Sequence, residues 1–354
     1  MADFYELDFR QVHTAKSGDA IAIRYRIGNE WWVHLVDGGY TTTAPEVANF
    51  IKTTYGTDYI NNIVVTHPDQ DHAEGLAPIL EQFNVGALWM LRPWEYAAAL
   101  LPQFSRYSSV EALGKRLQEV YPYIHVLEKI AQRRGIAILA PIQGQNIGPF
   151  RVLAPSLARY FQLVIQSEKT PQAAAATNIL ASLLGMAAPV VHLIKAGWGS
   201  EKFAPEPTST ENEMSVIQYA TLCGDRILLT GDAGRDGLTE AAHYAVNNGL
   251  AVPVNKFQAP HHGGRHNLSS ELLDFWVGPR LAQMVPKGQE KFTAAISSAK
   301  EDTAHPRKAV LRALRHRGAF ILTTEDLPAI VQRNSARTWT VVENVPYPDE
   351  QEED

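Results

Sequence analysis

The sequence predicts an α/β protein. Short runs of apolar and β-branched residues alternate with amphipathic stretches, and three of the apolar runs end directly in loops rich in His and Asp. The length of 354 residues allows two domains, or one large α/β domain that carries an insertion. An apolar share of 45% is ample for a core, and a charged share of 20% does not indicate a disordered chain.

The first third of the chain predicts strands and helices in alternation, with glycine-containing turns between the opening strands. The predicted elements are strands over 7–13, 20–26 and 31–37, a helix over 44–54, a buried strand over 60–66, a helix over 75–83 and a strand over 85–91. The strand over 60–66 runs straight into the polar sequence HPDQDH, which makes this junction a candidate site.

From about 92 to 211 the pattern predicts a mainly helical insertion. Ser108 and Glu111 have the spacing of a capping box, and the amphipathic stretch that they open should close at Gly135. Pro122 should kink or split this stretch. The rest of the insertion predicts a strand over 150–155, a small-residue helix over 173–188 and a polar loop over 197–212.

The last third predicts a return to strands, with two helices among them. The predicted strands are 214–221, 226–230, 254–258, 281–286, 294–297, 319–323 and 329–332, and the predicted helices are 235–247 and 305–316. Pro306 suits the first turn of the second helix, and Arg312, Arg315 and Arg317 suggest a solvated face on it. We therefore predict one domain over 1–345, interrupted by the insertion, and a disordered acidic tail over 346–354.

Composition restricts the kind of site that the chain can build. Cys223 is the single cysteine, which excludes a disulfide framework and cysteine-cluster metal sites, so a metal site must use the 12 His and 38 acidic residues. The N-terminus lacks the apolar segment of a secretory signal, and no run of 18 apolar residues occurs, so we expect a cytoplasmic protein without a membrane partner. The net charge of −6 argues against a general basic surface for nucleic acid, although a local basic patch stays open.

Three loops that follow apolar strands carry side chains able to bind metal ions. The candidates are His67, Asp69, Asp71 and His72 in the first loop, Asp232 in the second, and His261 and His262 in the third. Each loop alone would be consistent with an ordinary turn. Two divalent ions about 3.5–4 Å apart need roughly six or seven imidazole and carboxylate ligands, including one carboxylate that bridges. The joint occurrence of the three loops therefore predicts a metal site.

These segments resemble the metallo-β-lactamase superfamily, and specifically soluble relatives of the hydrolase domain of ComEC-type DNA-uptake proteins. The sequence THPDQDHAEG is similar to the HxDxDH variant of the superfamily's HxHxDH motif, RILLTGDAG to the segment with the bridging Asp, and APHHGG to the late His motif. Near the ends of the chain, HTAKSGDAIAIRY and AISSAKEDTAHPRKAVLRAL are similar to further segments of this branch. The resemblance implies a four-layer αβ/βα sandwich with the site at the sheet edges.

By this resemblance, two divalent ions (Zn²⁺ or Mn²⁺, with Mg²⁺ as a further candidate) would share the site. His67 and Asp69 would bind one ion, Asp71 and His72 the second, and Asp232 would bridge them. The second site would be completed by His261 as first choice, or by His262, which could instead contact phosphate.

Two departures from the superfamily pattern affect the first ion. Asp69 stands where most members have His, which favours Mn²⁺ or Mg²⁺ against Zn²⁺ more than an imidazole would. The superfamily's middle His has no clear counterpart: His192 is expected to be a buried strand or helix residue. Asn212 and Glu213, just before the predicted strand over 214–221, are better placed, and Asn212 is a candidate substrate contact. The first ion is therefore expected to be the more weakly held.

The resemblance implies a metal-dependent hydrolase, with a phosphodiesterase or nuclease as first hypothesis. A metal-bridging hydroxide, positioned by Asp71 and Asp232, would attack phosphorus. His305, or one of His261 and His262, would protonate the leaving oxygen. His305 is equally consistent with an ordinary helix start and with a helix N-terminus that binds phosphate. Lys300, Arg307 and Lys308 could add a local basic lip for nucleic acid or a small phosphodiester.

Two alternatives stay open. The insertion could form a lid over a small ester, lactone or cyclic nucleotide, and a closed apolar pocket would favour that alternative over a nuclease. The incomplete first metal position also allows a degenerate, metal-stabilised protein that binds a partner through the insertion. The sequence does not identify a protein partner.

Overall fold

The computed structural model describes residues 2–170, 192–338 and 342–353. Two seven-stranded mixed sheets and surrounding helices form the molecule, which confirms the predicted α/β class. The small-residue helix predicted over 173–188 lies outside the described residues. Within those ranges, no helix is long and apolar enough to cross a membrane.

The first sheet is antiparallel on one side and parallel on the other. Its strands, in spatial order, are β15 (Ala329–Arg333), β1 (Ala2–Phe9), β2 (Ile21–Ile27), β3 (Glu30–Val36), β4 (Tyr59–Val64), β5 (Asn84–Trp89) and β6 (Ala137–Leu139). The pairs from β15 to β3 are antiparallel, and the pairs from β3 to β6 are parallel. β1 begins and ends earlier than the predicted 7–13, because its partner β2 starts at Ile21, which pairs with Phe9.

The second sheet carries the later parallel strands. In spatial order it contains β14 (Ala319–Thr323), β13 (Phe292–Ile296), β12 (Lys256–Gln258), β11 (Asp225–Leu229), β10 (Ile217–Leu222), β8 (Phe150–Ala154) and β7 (Asn146–Ile147). The pairs from β11 to β14 are parallel, and the pairs from β11 to β7 are antiparallel. A separate two-stranded sheet joins β9 (Leu193–Lys195) to β16 (Glu350–Glu352).

Eleven α-helices lie in the described part of the chain. They are α1 (Ala44–Phe50), α2 (Gln70–Ala73), α3 (Leu76–Gln82), α4 (Ala97–Leu100), α5 (Val110–Val120), α6 (Pro122–Arg134), α7 (Leu157–Gln166), α8 (Thr210–Glu213), α9 (Arg235–Asn247), α10 (Ser270–Val277) and α11 (Lys308–His316). A π-helical turn, Ile51–Tyr55, continues α1, and 3₁₀ turns span Pro93–Tyr96, Leu101–Gln103 and His261–Gly263.

The second sheet is buried on both faces. Ile227 and Leu229 of β11 belong to the same buried cluster as Leu35 of the first sheet. Leu228, between them, points the other way and belongs to the cluster that contains Leu314 of α11. Because successive strand residues face opposite sides, the second sheet lies between the first sheet and a helix layer. Because α1 and α3 also pack on the first sheet, this arrangement is the predicted four-layer αβ/βα sandwich.

The segment 92–211 contains strands as well as helices, and the strand predicted over 150–155 is β8. α5 and α6 are split at Pro122, as predicted, and α6 ends at Gly135 in the left-handed conformation with φ 67°. β6 extends the first sheet, and β7 and β8 extend the second, so this segment supplies an edge to each sheet. Ser109, not Ser108, caps α5: its side chain accepts a hydrogen bond from the Ala112 amide, so the predicted capping box is wrong by one residue.

The C-terminal segment differs most from expectation. α11 begins at Lys308 instead of 305, because Arg307 has extended backbone angles and forms the cap. The predicted disordered tail instead forms β16, in which Gln351 and Glu352 are buried. Arg312 is fully buried and donates to carbonyl groups of the neighbouring loop and tail, so the expected solvated arginine face is wrong.

Two further local predictions are wrong. Residues 281–286 form no strand, and the amide of Leu281 instead donates to the carbonyl of His316. His192 is exposed beside β9, because the apolar run that contains it leads into a small surface sheet instead of the core. His192 is therefore not a buried strand residue.

Candidate metal centre

The residues able to bind metal ions meet where strands of both sheets end. The loop and short helix after β4 carry His67 to His72, the turn after β11 carries Asp232, and the turn after β12 carries His261 and His262. A sheet holds the loops at its strand ends rigidly, which fixes the position of these side chains. The structure therefore brings together all seven of the residues predicted as ligands.

Asp232 is the centre of this arrangement. Its Oδ2 lies 3.3 Å from Nε2 of His72, 3.8 Å from Nε2 of His261, and 3.9 Å from Nε2 of both His67 and His262. The Asp232 side chain is only 3% exposed. Imidazole nitrogen and carboxylate oxygen are both ligand atoms of Zn²⁺ in proteins, and the carboxylates are the ligand type that also suits Mn²⁺.

The Nδ1 atom of each of these histidines is held by a hydrogen-bond acceptor. The acceptors are Asp37 Oδ2 for His72 (2.8 Å), the Ser297 carbonyl for His262 (2.8 Å), Asn267 Oδ1 for His261 (3.0 Å) and Thr66 Oγ1 for His67 (3.1 Å). The Thr66 hydroxyl is an acceptor here because it donates its own hydrogen to Asp37. Nδ1 therefore carries the hydrogen, and Nε2 keeps the lone pair that a metal ion needs.

Several atoms at the centre are buried without a hydrogen-bond partner. Nε2 of His67, Nε2 of His72 and Oδ1 of Asp232 have none among the described residues. Buried polar atoms in native proteins are nearly always satisfied, and each exception calls for an explanation. A divalent cation would satisfy these atoms, so the residues present fit a metal ion.

The electrostatics also favour a cation. Burial alone would lower the pKa of His72, but the carboxylates of Asp232 and Asp71 outweigh it and raise this pKa well above its ordinary value. Burial alone would raise the pKa of Asp232, but His72 and His262 outweigh it and hold this pKa well below the usual range. Burial lowers the pKa of His67, which keeps this imidazole neutral as a ligand must be.

Four residues form the most compact set, here named the inner group: Asp71, His72, Asp232 and His262. One ligand atom from each lies within 4.8 Å of the others. His262 Nε2 is 3.3 Å from Asp71 Oδ2 and its side chain is 4% exposed, whereas the side chain of His261 is 27% exposed. His262, instead of the preferred His261, therefore accompanies Asp71 and His72.

His67 and Asp69, here named the outer pair, are less enclosed. His67 Nε2 is 3.8 Å from Asp69 Oδ2, and the Asp69 side chain is 26% exposed. The other Asp69 oxygen, Oδ1, accepts a hydrogen bond from Lys169 Nζ. In the described ranges, no compact group of the inner kind includes His67 or Asp69.

His305 lies in the cleft, but not at a helix N-terminus. Its Nδ1 is 3.2 Å from Asp302 Oδ2, and burial lowers its pKa more than the Asp302 hydrogen bond raises it. The first amides of α11, those of Lys308 and Ala309, donate instead to the buried carboxylate of Glu352, at 2.9 Å each. The helix end is thus occupied, which contradicts the expected phosphate site at that position.

The other predicted substrate contacts lie away from the cleft. Asn212 donates to Thr208 within the α8 turn, exposed Lys300 pairs with Asp326, and Lys308 pairs with Glu350. None of Asn212, Lys300 and Lys308 lines the cavity above the metal centre. The expected basic lip is therefore not formed by these lysines.

The cavity above the centre has a volume of about 830 Å³. Lys16 and Lys169 line it, residues 120–123 form an aromatic and apolar wall, and Asp302 and His305 also contribute. Sequence reasoning missed both lysines, because nothing local to either marks a site.

Two carboxylates behind the ligands were also missed. Asp37 holds His72, and Asp19, which is buried, accepts a hydrogen bond from Gln258 at 3.0 Å. Asp19, Asp37 and His72 themselves form a second compact group. Both aspartates stand beside glycines at strand boundaries, in GDA and VDGG, and this was the signal that could have found them.

Comparison with known proteins adds little to this picture. No protein-family model matches the chain, and no curated protein matches it. Among solved structures, it is similar to the crystal structure of hydrolase AbOPH in the beta lactamase superfamily, with a TM-score of 0.30 and 14% identity. The match covers 60% of this chain and 56% of that chain, so this chain spans little more than half of that protein. A likeness of this extent transfers no activity.

Proposed function

We propose that this protein is a metal-dependent hydrolase that cleaves phosphodiesters, related to the soluble branch of ComEC-type hydrolase domains. The observation that carries the proposal is the convergence of four held imidazoles on the buried Asp232 carboxylate beneath a cavity. Asp71, His72, Asp232 and His262 would hold the ion. A bound divalent ion would activate water and neutralise charge on the phosphate.

Residues of the chain supply the rest of the chemistry. Lys16 lines the cavity and offers an ammonium group to a phosphate oxygen. His305 lines the same cavity, and Asp302 fixes its Nδ1 side, so that Nε2 is the atom that exchanges a proton with the leaving oxygen. Asp37 and Ser297 keep two of the ligand imidazoles in place through their Nδ1 atoms.

The lining of the cavity supports a phosphodiester as substrate. Lys16 and Lys169 line it together with Asp69, Asp71 and Asp302, so it is not the closed apolar pocket that a small neutral ester would favour. Because Lys169 is paired with Asp69 and the net charge is −6, attraction of a phosphate would come from Lys16 and from a bound divalent ion. We therefore expect a small phosphodiester or a single strand of nucleic acid in preference to a duplex.

Hydrolysis of bis-p-nitrophenyl phosphate with Mn²⁺, Mg²⁺ or Zn²⁺ tests the proposal. We expect wild-type turnover with at least one of these ions, and a loss of roughly 10²-fold or more in Asp232→Asn, which keeps the shape of the side chain. Asp326→Asn is the matched control, because Asp326 is 75% exposed and lies outside the cavity lining. An Asp232→Asn rate equal to that of wild type would overturn the assignment.

A second candidate is hydrolysis of a carboxyl ester or lactone. The wall formed by residues 120–123, which includes Tyr121 and Tyr123, suits an apolar or aromatic acyl group. Turnover of p-nitrophenyl acetate without turnover of the phosphodiester would favour this candidate. Metal binding without turnover of either substrate would favour the partner-binding protein.

A further inference from the structure

The two metal positions expected in the cleft have unequal ligand sets. The inner group supplies four ligand atoms that all lie within 4.8 Å of one another. The outer pair supplies His67 and Asp69, with Asp232 Oδ2 at 3.9 Å from His67 Nε2, and among the described residues it belongs to no group of three or more ligand atoms of the inner kind. A divalent ion at the outer position would therefore lack the enclosure that the inner group provides.

Ser215, which lies next to the outer pair, gives the outer position no further ligand. Ser215 is buried beside His67, with its hydroxyl oxygen 3.3 Å from His67 Nδ1. The same oxygen accepts a hydrogen bond from the Asp232 amide at 3.1 Å. Ser215 therefore contacts the side of His67 that faces away from the metal position and offers no ligand to it.

Lys169 neutralises the carboxylate of the outer pair. Its Nζ donates to Asp69 Oδ1, on the opposite side of this carboxylate from the oxygen that faces His67. The Lys169 amide donates to the Ser167 hydroxyl at 3.1 Å, and fully buried Ser167 in turn donates to Glu211. This buried network fixes the backbone at Lys169, from which the partly exposed side chain reaches Asp69.

We propose that the cleft binds one divalent ion tightly, at the inner group, and that the Lys169 ammonium takes the place of a second ion beside Asp69. A positive charge beside Asp69 reduces the attraction of the outer pair for a cation and repels one that enters. The inference rests on the metal binding contained in the proposed function, and it revises the two ions expected from the sequence to one.

The count of bound metal ions tests this inference. After equilibrium dialysis against excess Mn²⁺ or Zn²⁺, elemental analysis should find one ion per wild-type chain. Lys169→Met, which keeps the length of the side chain without its charge, should raise the count toward two. Lys16→Met, which removes the other lysine of the cavity, should leave the count at one.

Electron paramagnetic resonance of the Mn²⁺-loaded protein gives a second measurement. Wild type should show the spectrum of an isolated Mn²⁺ ion, and Lys169→Met or Lys169→Gln should show the exchange coupling of two neighbouring ions. Two ions bound with similar affinity by wild type, or a count that stays at one in both Lys169 variants, would overturn the inference. A wild-type count of one without hydrolysis of any substrate would instead overturn the proposed function and leave this inference standing.

Discussion

Single carboxylates decide how the metal centre is oriented. Asp37 accepts hydrogen bonds from the Thr66 amide (2.8 Å), from the Thr66 hydroxyl (2.6 Å) and from His72 Nδ1 (2.8 Å). One side chain therefore holds both the strand end that carries His67 and the imidazole of His72. Such partners behind the ligands fix the tautomer and increase the basicity of the ligand.

Asp37→Asn should weaken metal binding without unfolding the protein. The backbone of Asp37 has φ 56°, which Asn adopts as readily as Asp, and the two side chains have the same shape. The amide cannot accept all three hydrogen bonds, so we expect the metal affinity to fall roughly 10- to 100-fold. Competition with a chromophoric chelator measures this, with exposed Asp326→Asn as the control. An unchanged affinity would show that Asp37 does not support His72.

At the scale of elements, the junction between α5 and α6 shapes one wall of the cleft. The split between α5 and α6 at Pro122 places Tyr121 and Tyr123 on the wall of the cleft. Tyr121 also donates to Ser167, on the loop that presents Lys169. One proline between two helices thus shapes the substrate side of the metal centre.

A second junction lies at the N-terminus of α11, which is capped by Glu352 of β16. Both oxygens of Glu352 accept amide hydrogen bonds at the start of this helix, where a negative charge also interacts favourably with the helix dipole. Glu352→Gln should lower the free energy of unfolding by about 1 kcal/mol. Urea unfolding measures the change, and exposed Glu353→Gln is the matched control. Equal losses in the two variants would refute the capping role.

At the scale of the whole molecule, the interior between the two sheets contains an uncharged histidine. His34 of β3 is fully buried and packs on Phe150 of β8, with 4.9 Å between the ring centroids. Burial lowers the pKa of His34 to about 3 from the ordinary 6.5. The contact between the sheets therefore depends on an imidazole that must stay neutral.

This burial predicts how stability depends on pH. Below pH 6.5 His34 becomes protonated in the unfolded chain, whereas in the folded chain it stays neutral until about pH 3. The free energy of unfolding therefore decreases as the pH falls from 6.5 to about 3. The loss approaches about 1.4 kcal/mol per pH unit. In His34→Leu, urea unfolding at pH 7 and pH 5 should show a smaller difference than in wild type. His13→Leu is the control, because the His13 side chain is 67% exposed, and it should show the same change in unfolding free energy between pH 7 and pH 5 as wild type. An equal change in all three proteins would contradict the prediction.

The sequence by itself determined the α/β class and the ligand types of the candidate centre. Apolar strands that end in His and Asp can be recognised from short stretches of sequence. The helix boundaries at Pro122 and Gly135 can be recognised in the same way, because turns and element ends depend on neighbouring residues in the chain. With a single cysteine, only imidazole and carboxylate were available.

Only the tertiary structure decided which of these side chains act together. His261 and His262 are adjacent and share a left-handed backbone, so no local pattern could tell that His262 joins Asp71 while His261 stays partly exposed. Lys169 lies 100 positions from Asp69 in the chain, and Glu352 lies 44 positions from Lys308. Such pairs form because the two sheets and the C-terminal strand pack together, and packing between distant segments leaves no periodic signal in the sequence.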